Sequence, residues 1–275
     1  LAIAIPLITI VLMGFLSSSI GNRVDEILFK NQKPAIILNF ILNQKTKKSK
    51  FLYAGSSEMY GNFIGKKRIK EDDQKKPVSP YGLSKLIAYE IIKSYRQMYN
   101  LPICTVILFN HESPLRGTEF VTRKITSTLA EIQAGRKKVL ELGNYYARRD
   151  WGYAGDFVEG IWKMLQNNQP TDYVLATGED HSVKEFATLA AKIMGFNLVW
   201  KGLKPNEYAV DKNTKKIIIK KNNEYYRPSD VSLLKGDAKK ARKNLDWKPK
   251  IKFKDLVKIM VESDKKRSLN GRILQ

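Results

Sequence analysis

The 275 residues carry 49 lysines and arginines against 27 acidic residues, a formal charge of +22. A hydrophobic fraction of 43% excludes a wholly disordered chain, and this length can bury a sizeable core as one large domain or two small ones. The basic residues are spread out, with only short clusters such as Lys45 to Lys50 and Lys212 to Lys221, and neither zinc-ligand spacing nor a basic helix with interleaved aromatics occurs. A solvated basic surface with a pocket for a diphosphate is therefore the plainer reading, with no nucleic-acid partner and no metal site.

Residues 1–16 carry no charge and fit either a buried strand or a membrane-associated segment. A membrane span needs about 17 to 25 apolar residues and a secretory leader needs positive charge. Polar Ser17-Ser18-Ser19 follows at once, as where a buried parallel strand runs out into a loop, so the strand is favoured. On that reading the chain begins in the middle of a fold.

Pro34 to Asn43 has Ile36, Ile37, Phe40 and Ile41 at helical spacing, and Lys50 to Ala54 is a strand leading into a Gly-Ser-Ser loop. Pro80 to Tyr99 reads as a long helix with an apolar stripe of Leu83, Ile87, Ile91 and Ile92. Pro102 opens a strand from Ile103 to Phe109, within which the single cysteine, Cys104, is expected as a buried, inert thiol. Phe120 to Ala134 reads as a helix, Val139 to Leu142 as a strand, Phe157 to Leu165 as a helix and Tyr173 to Ala176 as a strand. Ser182 with Glu185 forms a capping box for a helix that Gly195 stops. Beyond it come strands at Leu198 to Trp200 and Lys216 to Ile219. A short helix capped by Asp237 and ended by Trp247-Lys248-Pro249 follows, then a last helix from Phe253 to Val261.

Strands alternating with helices imply an α/β fold with a parallel sheet covered on both faces. No G-x-G-x-x-G stands at the start, so the usual phosphate-gripping turn of such a sheet is not in this sequence.

Two clusters carry chemistry. Tyr81 and Lys85, four apart on the long helix, share one face, so the ammonium can sit beside the phenol and favour its ionisation. Ser56-Ser57-Glu58 follows a strand, and loops at the carboxyl ends of parallel strands line ligand crevices, so a hydroxyl and a carboxylate can face the Tyr-Lys pair.

Tyr53 to Gly61 (Y-A-G-S-S-E-M-Y-G) and Ser79 to Lys85 (S-P-Y-G-L-S-K) resemble the extended short-chain dehydrogenase/reductases. Leu108 to Pro114 (L-F-N-H-E-S-P), Phe120 to Ile125 (F-V-T-R-K-I), Arg149 to Gly152 (R-D-W-G) and Tyr225 to Pro228 (Y-Y-R-P) narrow the resemblance to the GDP-mannose 4,6-dehydratases. So does Ala176 to Glu179 (A-T-G-E) followed by His181-Ser182-Val183.

The resemblance implies a partial NAD(P)-binding Rossmann fold, the first strands of its parallel sheet missing, with a smaller α/β substrate-binding domain. Residues 1–117 and 143–178 would form the cofactor and catalytic domain, and 118–142 and 179–275 an interleaved GDP-sugar domain. It implies a hydro-lyase using NADP on GDP-mannose, assembled as a homo-oligomer in the cytoplasm without a membrane partner. By position, Tyr81 would take the C4 hydroxyl proton, Glu58 the C5 proton, Ser56 would hold the C4 oxygen, and Lys85 would complete the catalytic set. Lys85, His111 and Arg116 match cofactor-contacting positions, and Asn110, Lys124, Arg149, Arg227 and Asp230 match positions around the GDP-sugar. Asp230 stands where the family commonly has glutamate.

The alternatives are another nucleotide-sugar dehydratase or epimerase of the extended family, and a non-catalytic nucleotide-sugar-binding protein. Ser57-Glu58, where a dTDP-glucose dehydratase would show Asp-Glu, and the Asn110 to Ser113 block argue against the first.

Overall fold

In a computed structural model of the chain, residues 34–43, 49–62, 68–225 and 233–271 are described. The apolar run 1–16, the loop expected at Ser17 to Gly21, and Arg227 and Asp230 lie outside them.

A helix over 34–42 (α1) precedes strand β1 (Phe51–Ser56), a 3-10 turn (Ser57–Tyr60), helix α2 (Pro80–Tyr99) and strand β2 (Ile103–Leu108). Then come β3 (Asn110–Glu112), α3 (Val121–Gln133), β4 (Leu140–Leu142), β5 (Arg148–Arg149), β6 (Trp151–Tyr153), α4 (Ala154–Gln166) and β7 (Tyr173–Leu175). The chain continues through β8 (His181–Ser182), α5 (Val183–Met194), β9 (Leu198–Lys201), β10 (Tyr208–Asp211), β11 (Ile217–Lys221), α6 (Lys239–Leu245) and α7 (Phe253–Leu269). These elements fall into two compact units. Of the described residues, the first takes those up to Phe109, then Phe157–Gly178 and Leu234–Lys248; the second takes those from Asn110–Asp156, Glu179–Leu233 and from Pro249 on.

The first unit is built on a parallel sheet of order β1-β2-β7, in register from Phe51↔Ile103 to Ser56↔Leu108 and from Val106↔Tyr173 to Leu108↔Leu175. Strand side chains alternate between faces. Phe51, Tyr53 and Ile103 therefore pack on Leu38 and Ile41 of α1 and on Ala88 and Ile92 of α2. Leu52, Cys104 and Val106 pack on Phe157, Ile161 and Leu165 of α4 and on Ala241, Leu245 and Trp247. Both faces are covered, as a parallel sheet requires. Burial pushes the Cys104 thiol up to about 12, which suits the inert thiol expected of it.

On α2 the packed row is rotated from the expected stripe. Ile92 is fully buried with Ala88 and Tyr89, whereas Leu83 and Ile87 are exposed. Spacing of four selects one row of the helix but does not say which neighbouring row meets the sheet.

The second unit holds a mixed sheet of order β4-β11-β10-β9, parallel between β4 and β11 and antiparallel elsewhere. Leu129 of α3, Phe186 and Ala190 of α5 and Met260 of α7 fill its core together with Leu140, Ala209 and Ile219 from the sheet. The capping box of α5 is complete: the Ser182 hydroxyl accepts the Glu185 amide at 3.1 Å, and the Glu185 carboxylate accepts the Ser182 amide at 3.2 Å. Gly195 closes that helix in the left-handed region, at φ 103°.

Three local expectations shift. The residue at the start of α6 is Ala238; Asp237 stands one position earlier and its carboxylate accepts the Lys239 amide at 3.0 Å. That helix stops at Leu245, with Asp246 in the left-handed region, before the tryptophan is reached. Helix α7 runs past Val261 to Leu269, because Asp264 and Ser268 turn inward and find partners. Among the described residues no helix is long and apolar enough to cross a membrane.

Candidate active site

Strand β1 ends where the Ser56 hydroxyl accepts the Glu58 amide at 3.2 Å, which turns the chain into the 3-10 turn. That turn lies against the first turn of α2. A Cβ on Gly82 would stand 2.6 Å from the Glu58 carbonyl oxygen, so only glycine permits this approach. Gly61 closes the turn at φ 61°, where a side chain would collide with the Lys76 carbonyl.

Ser79 and Pro80 start α2 in the usual way, a hydroxyl at the N-cap followed by proline at the first helical position. The Ser79 hydroxyl accepts the Gly82 amide at 3.0 Å and donates to Glu58 Oε2 at 3.1 Å. One turn further on, the Lys85 ammonium donates to the Ala54 carbonyl at 3.0 Å. It lies 5.7 Å from the centre of the half-exposed Tyr81 ring and 5.2 Å from that of Tyr53. Burial, with the neighbouring Tyr81 second, pushes the Tyr53 phenol up, so Tyr53 serves as an uncharged wall.

Burial also lowers the Lys85 ammonium from 10.5 to about 8. The unfolded chain therefore holds the extra proton between those two values, and stability rises with pH across that window. The penalty is fully present below about 8 and gone above 10.5. Lys85→Met removes the buried cation, so its thermal midpoint relative to the parent should be highest near neutrality and fall steadily as the pH approaches 10. A difference that stays flat with pH would mean that Lys85 is hydrated in the folded state.

The second unit carries its own constellation. Asn110 and His111 sit on β3, which pairs in parallel with β6 as Asn110↔Trp151 and His111↔Gly152. The Glu112 carboxylate is buried, accepts the Thr122 hydroxyl at 2.7 Å and faces Arg116 Nε at 3.4 Å. Burial pushes its pKa up against the opposing pull of Arg116 and Thr122. The Arg116 guanidinium lies over the Phe120 ring at 3.6 Å. Arg123, also buried, fixes the loop that carries Arg116, donating to the Pro114 and Arg116 carbonyls at 2.7 and 2.9 Å. Its Nε reaches both oxygens of Asp264 at 2.9 and 2.8 Å.

Lys124 sits on α3 with its ammonium over the Tyr225 ring at 3.1 Å, and burial lowers its pKa. Arg149 is buried rather than solvated and donates to the Arg148 carbonyl at 2.8 Å.

Residues 34–260 match the family model described as GDP-mannose 4,6 dehydratase. The chain belongs to the GDP-mannose 4,6-dehydratase family. It is 46% identical over 220 residues to the GDP-mannose 4,6 dehydratase of Cricetulus griseus, covering 78% of this chain and 58% of that one. The chain thus spans less than two thirds of the length of that relative. Among solved structures, its fold matches RMD from Pseudomonas aeruginosa complexed with NADPH at a TM-score of 0.67 and 20% identity, over 80% of this chain and 67% of that one. It also matches dTDP-glucose 4,6-dehydratase from Bacillus anthracis in complex with NAD at a TM-score of 0.71 and 21% identity, over 89% and 71% of the two chains. These likenesses establish the α/β fold of the extended dehydratases and epimerases.

Of the residues singled out in the dehydratase motifs, Ser56, Glu58, Tyr81 and Lys85 gather in the first unit, at the carboxyl end of β1 and the amino end of α2. Asn110, His111, Arg116, Lys124 and Arg149 lie in the second. The motif reading assigned nothing to Ser79, Glu112, Arg123 or Asp264. A serine directly before proline at a helix start is a readable cap signal for the first. The Arg123–Asp264 pair spans 141 residues, and no local pattern announces it.

Proposed function

We propose that this chain carries the reaction centre of a GDP-mannose 4,6-dehydratase, a hydro-lyase converting GDP-mannose to GDP-4-keto-6-deoxymannose. The observation that carries the reading is the pairing of a held carboxylate with a phenol and its lysine: Glu58 on Ser79, and Tyr81 one turn from Lys85. Those are the groups that an oxidation at C4 followed by loss of water across C5 and C6 requires.

Tyr81 takes the proton of the C4 hydroxyl, with the Ser56 hydroxyl holding the C4 oxygen. The Lys85 ammonium beside the ring favours the phenolate. A ketone at C4 acidifies C5–H, Glu58 removes that proton and passes it to the C6 hydroxyl, which departs as water, and C5 regains a proton as C6 is reduced. NADP, when bound, supplies the hydride acceptor for C4 and the donor for C6. The dehydratase motifs assign Lys85, His111 and Arg116 to cofactor contacts, and each is a donor suited to phosphate oxygens: Lys85 an ammonium in the first unit, Arg116 a fork of N–H groups stacked on Phe120 and His111 an imidazole in the second. Asn110, Lys124, Arg149, Arg227 and Asp230 are proposed to surround the GDP-sugar, where guanidinium and amide donors suit a diphosphate and a purine edge.

Thermal unfolding with GDP-mannose, and with UDP-glucose as control, tests the substrate. A ligand that binds only the folded state raises the midpoint by mass action. A rise with GDP-mannose and none with UDP-glucose is expected. Equal rises, or none with GDP-mannose, would overturn the assignment for this chain.

A further inference from the structure

We infer that Ser79 is a positioning residue for Glu58: its hydroxyl holds the carboxylate in the orientation that proton removal at C5 needs. The inference deepens the reading of Glu58 given above and rests on it.

An N-cap needs only an acceptor, which aspartate, asparagine and threonine supply as well as serine. The Ser79 hydroxyl does that for the Gly82 amide at 3.0 Å, which leaves its single proton to give. That proton points to Glu58 Oε2 at 3.1 Å. The backbones are locked to the same purpose, because the Glu58 carbonyl rests where a Gly82 side chain would be. The Glu58 amide is tied to Ser56 at 3.2 Å. The glutamate is therefore fixed at its backbone by Ser56 and at its carboxylate by Ser79, and only one oxygen of the carboxylate is engaged by Ser79. Ser79 is also two residues before Tyr81, so a single side chain ties the base to the helix that presents the phenol. A base held in one geometry reacts far faster than one that must find it.

The test compares Ser79→Ala, Ser79→Asp and Ser79→Thr with Glu58→Gln in the intact chain, with GDP-mannose and NADP supplied. Three quantities are read: deuterium entering C5 from solvent, reduced nicotinamide formed by oxidation at C4, and the thermal midpoint with and without GDP-mannose. Alanine removes cap and donor together. Aspartate keeps a capping oxygen but cannot donate to a carboxylate, so it separates the two roles even if the alanine variant folds poorly. Threonine keeps both.

Loss of one charge-assisted hydrogen bond should slow C5 exchange about tenfold or more in the alanine and aspartate variants. C4 oxidation and the midpoint rise with GDP-mannose should change by less than about twofold, so reduced nicotinamide accumulates. Threonine should restore exchange. If exchange, C4 oxidation and folded fraction fall together, or if the aspartate variant exchanges like the parent, Ser79 is only a helix cap and the inference is overturned. Undiminished exchange in Glu58→Gln, or a parent chain that neither oxidises C4 nor exchanges C5, would instead remove the underlying reading, and the inference with it.

Discussion

Replacing Tyr81 by phenylalanine is expected to lower product formation about a thousandfold, within the range typical of losing a positioned proton acceptor. The ring stays on α2 and the Lys85 ammonium keeps its bond to the Ala54 carbonyl, so neither the helix nor the lysine loses its anchor. What disappears is the phenol oxygen of the ring beside Lys85, and Tyr53, whose ring also lies near that ammonium, cannot replace it because burial pushes its phenol up. The GDP-mannose-induced rise in thermal midpoint should persist, because the change removes proton transfer and not the sugar's binding groups. Turnover near the parent's would take Tyr81 out of the reaction; loss of the midpoint rise would make it a binding residue.

Asp264→Ala should destabilise the second unit by about 3 to 5 kcal/mol, the usual result of leaving one charge of a buried pair without its partner. Arg123 and Asp264 are 4% and 2% exposed, and the aspartate also accepts the Thr126 hydroxyl at 2.6 Å and Arg267 at 3.2 Å. Urea unfolding would read the loss as a lower midpoint at unchanged slope. Replacing both members by methionine should recover much of it, since a hydrophobic pair of similar volume avoids the desolvation of two charges. That double variant still frees the Arg116 carbonyl and leaves the Pro114 carbonyl to Arg267 alone, so it should weaken whatever Arg116 binds even where stability returns. A loss below about 1 kcal/mol for Asp264→Ala would mean that water reaches the pair.

The sequence made different parts of this molecule legible to different degrees. Helices with a chemical start or stop were clear, among them α2 with Ser79-Pro80 and α5 with its Ser182–Glu185 box and Gly195, because those signals lie within four residues of the feature they specify. The parallel strands were clear as well, since burial on both faces writes a nearly continuous apolar run such as Ile103 to Leu108, interrupted only by Thr105. Strand β10, four residues between Pro205 and a turn at Asp211, was not, because so short a segment has no period to read. Nor could spacing tell that Leu83 and Ile87 face outward, a choice made by where the sheet lies. Of the candidate site, motif order singled out Ser56, Glu58, Tyr81 and Lys85, but the hydrogen bond from Ser79 to Glu58 joins residues 21 apart and no local pattern announces it.

The first unit closes only when the segment Leu234–Lys248 arrives, and Trp247 from that segment packs on Phe157 with ring centres 5.8 Å apart. During synthesis, then, the sheet face of Leu52, Cys104 and Val106, opposite the one that α2 covers, waits without α6 and Trp247 until residue 248 has left the ribosome. Contacts of such long sequence separation form slowly, and apolar surface exposed in the meantime invites aggregation. A ribosome stalled before Leu234 should hold a nascent chain that stays sensitive to protease at the β1-β2-β7 sheet, and one stalled well past Lys248 should not. Because each unit is assembled from separated stretches, neither can be expressed alone as one uninterrupted piece of the gene.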